Sequence, residues 1–493
     1  MTILLRRSIG ALPALITAAL LLAGCDRRSD AGPVIVSAIG GKPQLADPSR
    51  GARDLPGRLL LDSTAQGLVR FDASGQIEPG IAERWIVIDD GMSYIFRLRD
   101  AEWSDGRPVT AEDVVTVLRR QIQRGSRNPL LPFLTAIDEI VEMTPEVIEV
   151  RLKRPRPDLL KLFAQPELAV FRTRPPGGSG PFRITNAGKR DVTLHPAFDP
   201  ARSPDEVVAE PGPAANVQLI GERAARAILR FAARDSDLVS GGTFVDWPLL
   251  AHADIAPVNR RLDPAAGLFG LVVANREGFL GDTRNRLAVA AAIDRDAIVA
   301  AFSSDWTSAT QLLPEQLDSA RPAMAPDWAA LSIADRYALA RARVDEWRAD
   351  KTDPPRLRIA MPTGPGATIL YGMIGASLHR VGIDTVRVAL DADTDLRLID
   401  AVAPYDSARW YLGTACSPCG EATLAAIEAA RDAPSTALRA RHLAEADAAL
   451  AADGAFIPIA RPLRWSLVAL RLRQWQGNSR AWHPLNHLRN DTN

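Results

Sequence analysis

Three observations predict an α/β fold built in more than one unit. A strand–helix–strand succession follows residue 350, a hairpin and a capped helix occupy residues 85–118, and 493 residues suffice for about two or three domains of ordinary size. A composition 47% hydrophobic and 24% charged is that of a globular chain with a sizeable core.

Taken in order, the elements are as follows. Residues 1–24 read as an export signal: Arg6 and Arg7 precede an apolar run over 9–23 that is too short to span a bilayer comfortably. The β-branched stretch 34–38, bounded by Gly40 and Gly41, is a first strand, and a turn follows at 45–48. Strands over 68–71, 85–88 and 94–98 alternate with turns at 72–75 and 89–91, and the Asp90-Gly91 step is a hairpin signal. In the last of these, Tyr94, Phe96 and Leu98 share one face and Ser93, Ile95 and Arg97 the other. Thr110 and Asp113 form a capping box ahead of the stripe Val114, Val115, Val117 and Leu118. Proline-rich stretches at 174–178 and 200–213 read as loops or crossings between lobes. After residue 350 a strand over 357–360, a helix over 367–381 stopped by Gly382 and a strand over 386–390 form a βαβ unit with parallel strands. The loop Thr363-Gly364-Pro365-Gly366 inside it lacks the lysine and serine of a nucleotide-binding loop, so turn chemistry accounts for it better than anion binding.

Lys+Arg and Asp+Glu are each 59, which removes the net field that would draw nucleic acid. The cations are nearly all arginine, with lysine only at 42, 153, 161, 189 and 351. The six histidines stand in no metal-binding spacing, and no nucleophile elbow occurs, so no catalytic residue, metal ligand or cofactor is assigned. Trp85 and Trp103 read as packing aromatics before ligand platforms. Cys416 and Cys419 fit a local disulfide, half of a zinc site or a redox couple; with no second such pair and no thioredoxin-like context, the disulfide is expected.

Two longer runs resemble a known family. Glu78-Pro79-Gly80-Ile81-Ala82-Glu83-Arg84-Trp85, Asp89-Asp90-Gly91 and the run from Ser104 to Val114 follow the order of the family 5 solute-binding proteins of ABC importers. Asp282-Thr283-Arg284-Asn285-Arg286-Leu287-Ala288 through Ala292-Ile293-Asp294-Arg295 matches a second run of that family with identical spacing. Ser179-Gly180-Pro181-Phe182, Gly382-Ile383, Tyr405-Asp406 and Phe456-Ile457-Pro458-Ile459 fall in the same order. Leu22-Ala23-Gly24-Cys25 resembles the lipobox, which implies lipidation of Cys25. The charges at 282, 284, 286, 294 and 295 sit at helical spacings and suit capping and pairing that fix a lobe.

The resemblance implies a type II periplasmic-binding fold: two α/β lobes joined by a hinge, plus a small extra domain. The first lobe would comprise 25–52, 175–266 and 462–493, the small domain 53–174 and the second lobe 267–461. It also implies a monomer anchored by lipid to the outer or inner membrane, in the periplasm or at the cell surface. That protein would close on a small-molecule or peptide solute and deliver it to permease and ATPase subunits of an ABC importer, without nucleic acid. An orphan relative serving as an envelope scaffold or sensor partner is the alternative. Peptide-binding members place an acidic residue shortly after a tryptophan to take the peptide ammonium group. Here no acidic residue stands between Asp406 and Glu421, so the free-amino peptide is disfavoured and Trp410, Tyr411 and Thr414 are the expected ligand-binding residues.

Overall fold

The computed structural model describes residues 32–197, 211–315, 317–349, 351 and 353–489. The export signal, Cys25 and most of the proline-rich stretch 200–213 lie outside them.

Among the described residues three sheets carry the fold. A seven-stranded mixed sheet runs in the order Phe182–Ala187, Asp191–Pro196, Val217–Glu222, Val34–Ile39, Leu238–Thr243, Arg464–Val468, Arg260–Leu262. A five-stranded sheet runs Asp384–Val388, Arg356–Ala360, Leu396–Val402, Gly267–Val273, Phe456–Ala460. A four-stranded antiparallel sheet, Ala82–Ile88, Ser93–Leu98, Val147–Leu152, Ile137–Thr144, carries the helix Ala111–Ile122 on its apolar face.

Local sequence chemistry accounts for most elements. The Thr110–Asp113 capping box is formed, with the Asp113 amide donating to Thr110 Oγ1 at 3.2 Å. Val114 and Leu118 of that helix are fully buried, as are Phe96, Ile148 and Val150 of the sheet beneath. Asp89, Asp90 and Gly91 all take positive φ, the backbone that the tight hairpin between Ala82–Ile88 and Ser93–Leu98 needs. Val69–Phe71, expected to lead into the 85–88 strand, instead pairs with Ile77–Pro79, a short strand whose proline disguised it. The βαβ unit consists of Arg356–Ala360, Pro365–His379 and Asp384–Val388, with the two strands parallel. Trp103 is buried, donates from Nε1 to Asp113 at 3.1 Å and lies under the Arg172 guanidinium, whereas Trp85 is half-buried on an edge strand.

The charges of the 282–295 run act as capping and anchoring groups. Asp282 caps the helix Thr283–Ala292 and Asp294 caps Arg295–Ala300. Arg286, 3% exposed, donates to the carbonyls of Asp453 and Leu280, each at 2.8 Å, and pairs with the Asp453 carboxylate at 2.9 Å. Arg295 donates to the carbonyls of Pro458, Ala290 and Ile293 between 2.8 and 3.0 Å and stacks on Trp328. A buried guanidinium whose protons reach backbone carbonyls ties a helix to a strand more firmly than a surface ion pair could.

The chain passes between the seven- and five-stranded sheets twice, through 263–266 and 461–463. Arg464 locks the second passage to the five-stranded sheet by donating to Asp400 Oδ1 at 2.7 Å. Beside it, Trp465 donates from Nε1 to Thr243 O at 3.0 Å, and its ring lies so close to Gly242 that a Cβ there would collide with the indole.

Replacing Arg286 by Met should lower unfolding stability by about 3 kcal/mol, because buried carbonyls and the Asp453 carboxylate lose their donor. Urea titration of the two proteins measures it. Asp62, buried in the helix Leu55–Thr64, has its carboxyl pushed from 3.8 up to about 6 by burial, against the pull of Arg70 and Arg58. The folded protein therefore holds this proton more tightly than the unfolded chain. The stabilising contribution is complete below pH 3.8 and is lost as pH rises through about 6. Asp62→Asn should be more stable than the parent at pH 7.5 by roughly 2–3 kcal/mol, a gain that melting curves should show vanishing near pH 4.

Candidate functional site

Polar side chains and one aromatic pair join the four-stranded sheet to the segment 403–415. From the side of the four-stranded sheet come Phe133, the basic loop after the strand Val147–Leu152, and the helix Leu159–Phe163. From the other side come residues 403–407 and the helix Ala408–Ala415. Arg156, 4% exposed, donates from Nη2 to Tyr405 Oη at 3.0 Å and to Phe133 O at 3.2 Å, with its guanidinium over the Tyr405 ring. Phe133 meets the same ring edge-on at 5.7 Å. Gln165 donates to Pro404 O at 2.6 Å, and Lys161 and Arg480 both grip the Asp406 carboxylate. The Arg156 backbone is fixed in turn by Tyr94, whose hydroxyl donates to its carbonyl at 2.8 Å.

Behind this seam, Ser407 opens the helix Ala408–Ala415. Its Oγ accepts from the Arg409 amide at 3.3 Å and from Arg439 at 2.7 Å, and it donates to Asp318 at 2.9 Å. Asp318 also accepts from the Ala408 amide and is held by Arg439. Burial governs the protonation of these groups. It pushes the Tyr405 hydroxyl up against the opposing pull of Arg156, and pushes Asp158 up to about 6, helped by Asp318. Burial and then the Arg156 charge bring Arg409 down to about 10. Asp406 is half-buried, which raises its carboxyl, but Arg480 and Lys161 outweigh this and hold it below the ordinary range.

The expected ligand-binding residues all lie on the helix Ala408–Ala415. Trp410 and Tyr411 pack edge-to-face at 4.9 Å and are buried, 5% and 1% exposed, while Thr414 is half-buried one turn on. Burial pushes the Tyr411 hydroxyl up to about 12. Cys416 and Cys419 are bonded to each other just past the helix end. The glycine loop at 363–366 packs across to the other body, with the Gly366 amide donating to Val245 O at 2.9 Å, as a turn.

Sequence reading missed Arg154, Arg156, Lys161 and Arg480. The run Lys153-Arg154-Pro155-Arg156-Pro157 ahead of an apolar helix was the available signal, since basic residues between prolines cannot be absorbed by a helix face. A depression of about 440 Å³ lined by Phe279, Trp347, Arg356 and Asp395 contains none of the seam residues.

Residues 76–415 match the family model of the middle region of bacterial extracellular solute-binding proteins, family 5. A curated relative, the probable deoxycholate-binding periplasmic protein YgiS of Escherichia coli, is 39% identical over 93 residues, which is 19% of this chain and 17% of that protein. This chain thus aligns with less than a fifth of that relative's length. Among solved structures, Haemophilus influenzae OppA in complex with RPPGFSPFR superposes with a TM-score of 0.76 at 18% identity, covering 93% of this chain and 99% of that one. The murein tripeptide binding protein MppA of Escherichia coli gives 0.78 at 18% identity, covering 92% and 98%. These structures share the fold, that of periplasmic binding proteins. With the family model spanning more than half its length, the chain belongs to the bacterial extracellular solute-binding proteins, family 5.

Proposed function

We propose that the chain is an extracytoplasmic lipoprotein that captures a peptide-like or related small solute by closing its two lobes and delivers it to an ABC importer. The observation that supports this is the joint: the seven- and five-stranded sheets are linked covalently by the short passages 263–266 and 461–463, and the loops of the four-stranded sheet meet residues 403–407 through polar side-chain contacts. Such a joint permits rigid-body closing around a ligand. In this reading the first lobe is 25–52, 175–266 and 462–493, the small domain 53–174 and the second lobe 267–461. Trp410, Tyr411 and Thr414 give the second lobe's face toward the solute, stiffened by the Cys416–Cys419 bond. The names of relatives, oligopeptide-binding for OppA and probable deoxycholate-binding for YgiS, support a peptide-like or related small solute.

The scaffold or sensor reading rests on one observation, that the seam closes on the chain's own side chains, Arg156 on Tyr405 and Gln165 on Pro404. Protein purified from its own host should carry a small molecule visible by native mass spectrometry. Adding that molecule back at a hundredfold excess over its dissociation constant should stabilise the protein by about 2.7 kcal/mol. A solute-free spectrum together with a melting temperature indifferent to a peptide and organic-acid library would favour the scaffold. Lipidation is tested separately: the parent should partition into the detergent phase on Triton X-114 separation, and Cys25→Ser should move to the aqueous phase, because acyl chains supply the membrane affinity.

A further inference from the structure

The described residues begin at one end of the seven-stranded sheet, and that end is apolar. Gly32 is held there: its carbonyl accepts from Arg489 at 2.6 Å and from Arg471 at 3.3 Å, and Arg471 also donates to Pro33 O at 2.7 Å. The buried Asp237 carboxylate anchors Arg471 in turn, at 2.7 Å. The registers Val36↔Leu238, Leu238↔Val468 and Arg260↔Leu467 set the starts of Val34–Ile39, Leu238–Thr243 and Arg260–Leu262 at this end, together with the finish of Arg464–Val468. The passages 263–266 and 461–463 leave from the other end of the same strands.

Beside Gly32, Leu470 is 65% exposed and Val258 50%. Asn259 fixes the turn Pro257–Asn259 against the neighbouring strand by donating to Val468 O at 2.8 Å, and exposed Ala256 and Pro257 extend the surface. Single exposed leucines are ordinary, but a fixed apolar patch assembled from two segments distant in sequence calls for an occupant. Charge gives the end no net sign, because exposed Arg234 and Arg473 are offset by exposed Asp235 and Asp254. Cys25 stands seven positions before Gly32. That length of chain spans at most about 25 Å, so an acylated Cys25 would hold this end within the same distance of the bilayer. Side chains too few to bind a membrane from solution act there at a high effective concentration, and acyl chains anchor best when a second contact assists them.

We infer that the end of the seven-stranded sheet bearing Leu470, Val258 and Pro257 is a membrane-contacting surface, with these side chains set in the interfacial layer of the bilayer. This rests on the lipidation of Cys25 proposed above. The contact orients the protein: the five-stranded sheet, reached from the opposite end of the same strands, is carried away from the lipid.

Cys416 and Cys419 are bonded to each other, so an introduced cysteine can take a thiol-reactive, polarity-sensitive fluorophore selectively. Leu470→Cys is labelled in the protein purified from its own host, with Leu339→Cys as reference, a 40% exposed position on the helix Ile333–Arg348 beside the five-stranded sheet. Both are reconstituted in vesicles of phosphatidylethanolamine and phosphatidylglycerol that contain a spin-labelled lipid. Emission at 470 should shift to the blue and be quenched at least about threefold more than at 339, and should stay so in high salt because the contact is apolar. Equal quenching at the two positions, or emission at 470 that remains that of water, overturns the surface. A blue shift that grows with protein concentration and escapes quenching assigns the patch to a second copy of the chain and overturns it as well. Mass spectrometry of the same preparations separates the failures: an acylated protein whose 470 probe stays in water overturns this surface alone, and a protein without acyl groups overturns the lipidation and this inference with it.

Discussion

The geometry depends on one constraint: the seven- and five-stranded sheets are joined by two short lengths of backbone, 263–266 and 461–463. Each sheet has its own hydrogen-bonded ladders, and a buried apolar cluster that includes Phe244 against Phe269 is shared between them. Between them only those two passages are covalent, and both lie against the same strands. Arg464 bonded to Asp400 and Trp465 lodged over Gly242 hold the second passage against both sheets.

What the sequence discloses follows from the range of the interaction. The Thr110 capping box, the Asp90-Gly91 hairpin and the βαβ unit depend on residues within a few positions of one another, and each is present with small shifts of boundary. Ile77–Pro79 was hidden because three residues ending in proline carry no alternation to detect. The seam lay outside such reach. Arg156 and Tyr405 are 249 positions apart, and Arg480 joins Asp406 from 74 positions away. Only the tertiary arrangement makes them one site.

The most recognisable residues of the chain are also the least informative about its cargo. Asp282, Arg286, Asp294 and Arg295 spend their charge on helix ends and backbone carbonyls inside one body. Any solute could be carried by a lobe held together in this way. At the seam, by contrast, a proline-punctuated basic loop meets a helix whose N-cap serine is clamped by Arg439 and Asp318.

The order of strands in the seven-stranded sheet also governs how the protein is made. Arg464–Val468 lies between Leu238–Thr243 and Arg260–Leu262, yet almost two hundred residues of the other body separate it from them in the chain. Until residue 468 has emerged, Leu238–Thr243 presents a bare hydrogen-bonding edge and Arg260–Leu262 has no neighbour to pair with. A chain delivered from its N-terminus keeps that edge unpaired until the strand Arg464–Val468 arrives. The sheet that holds the chain's first strand is thus closed by one of its last.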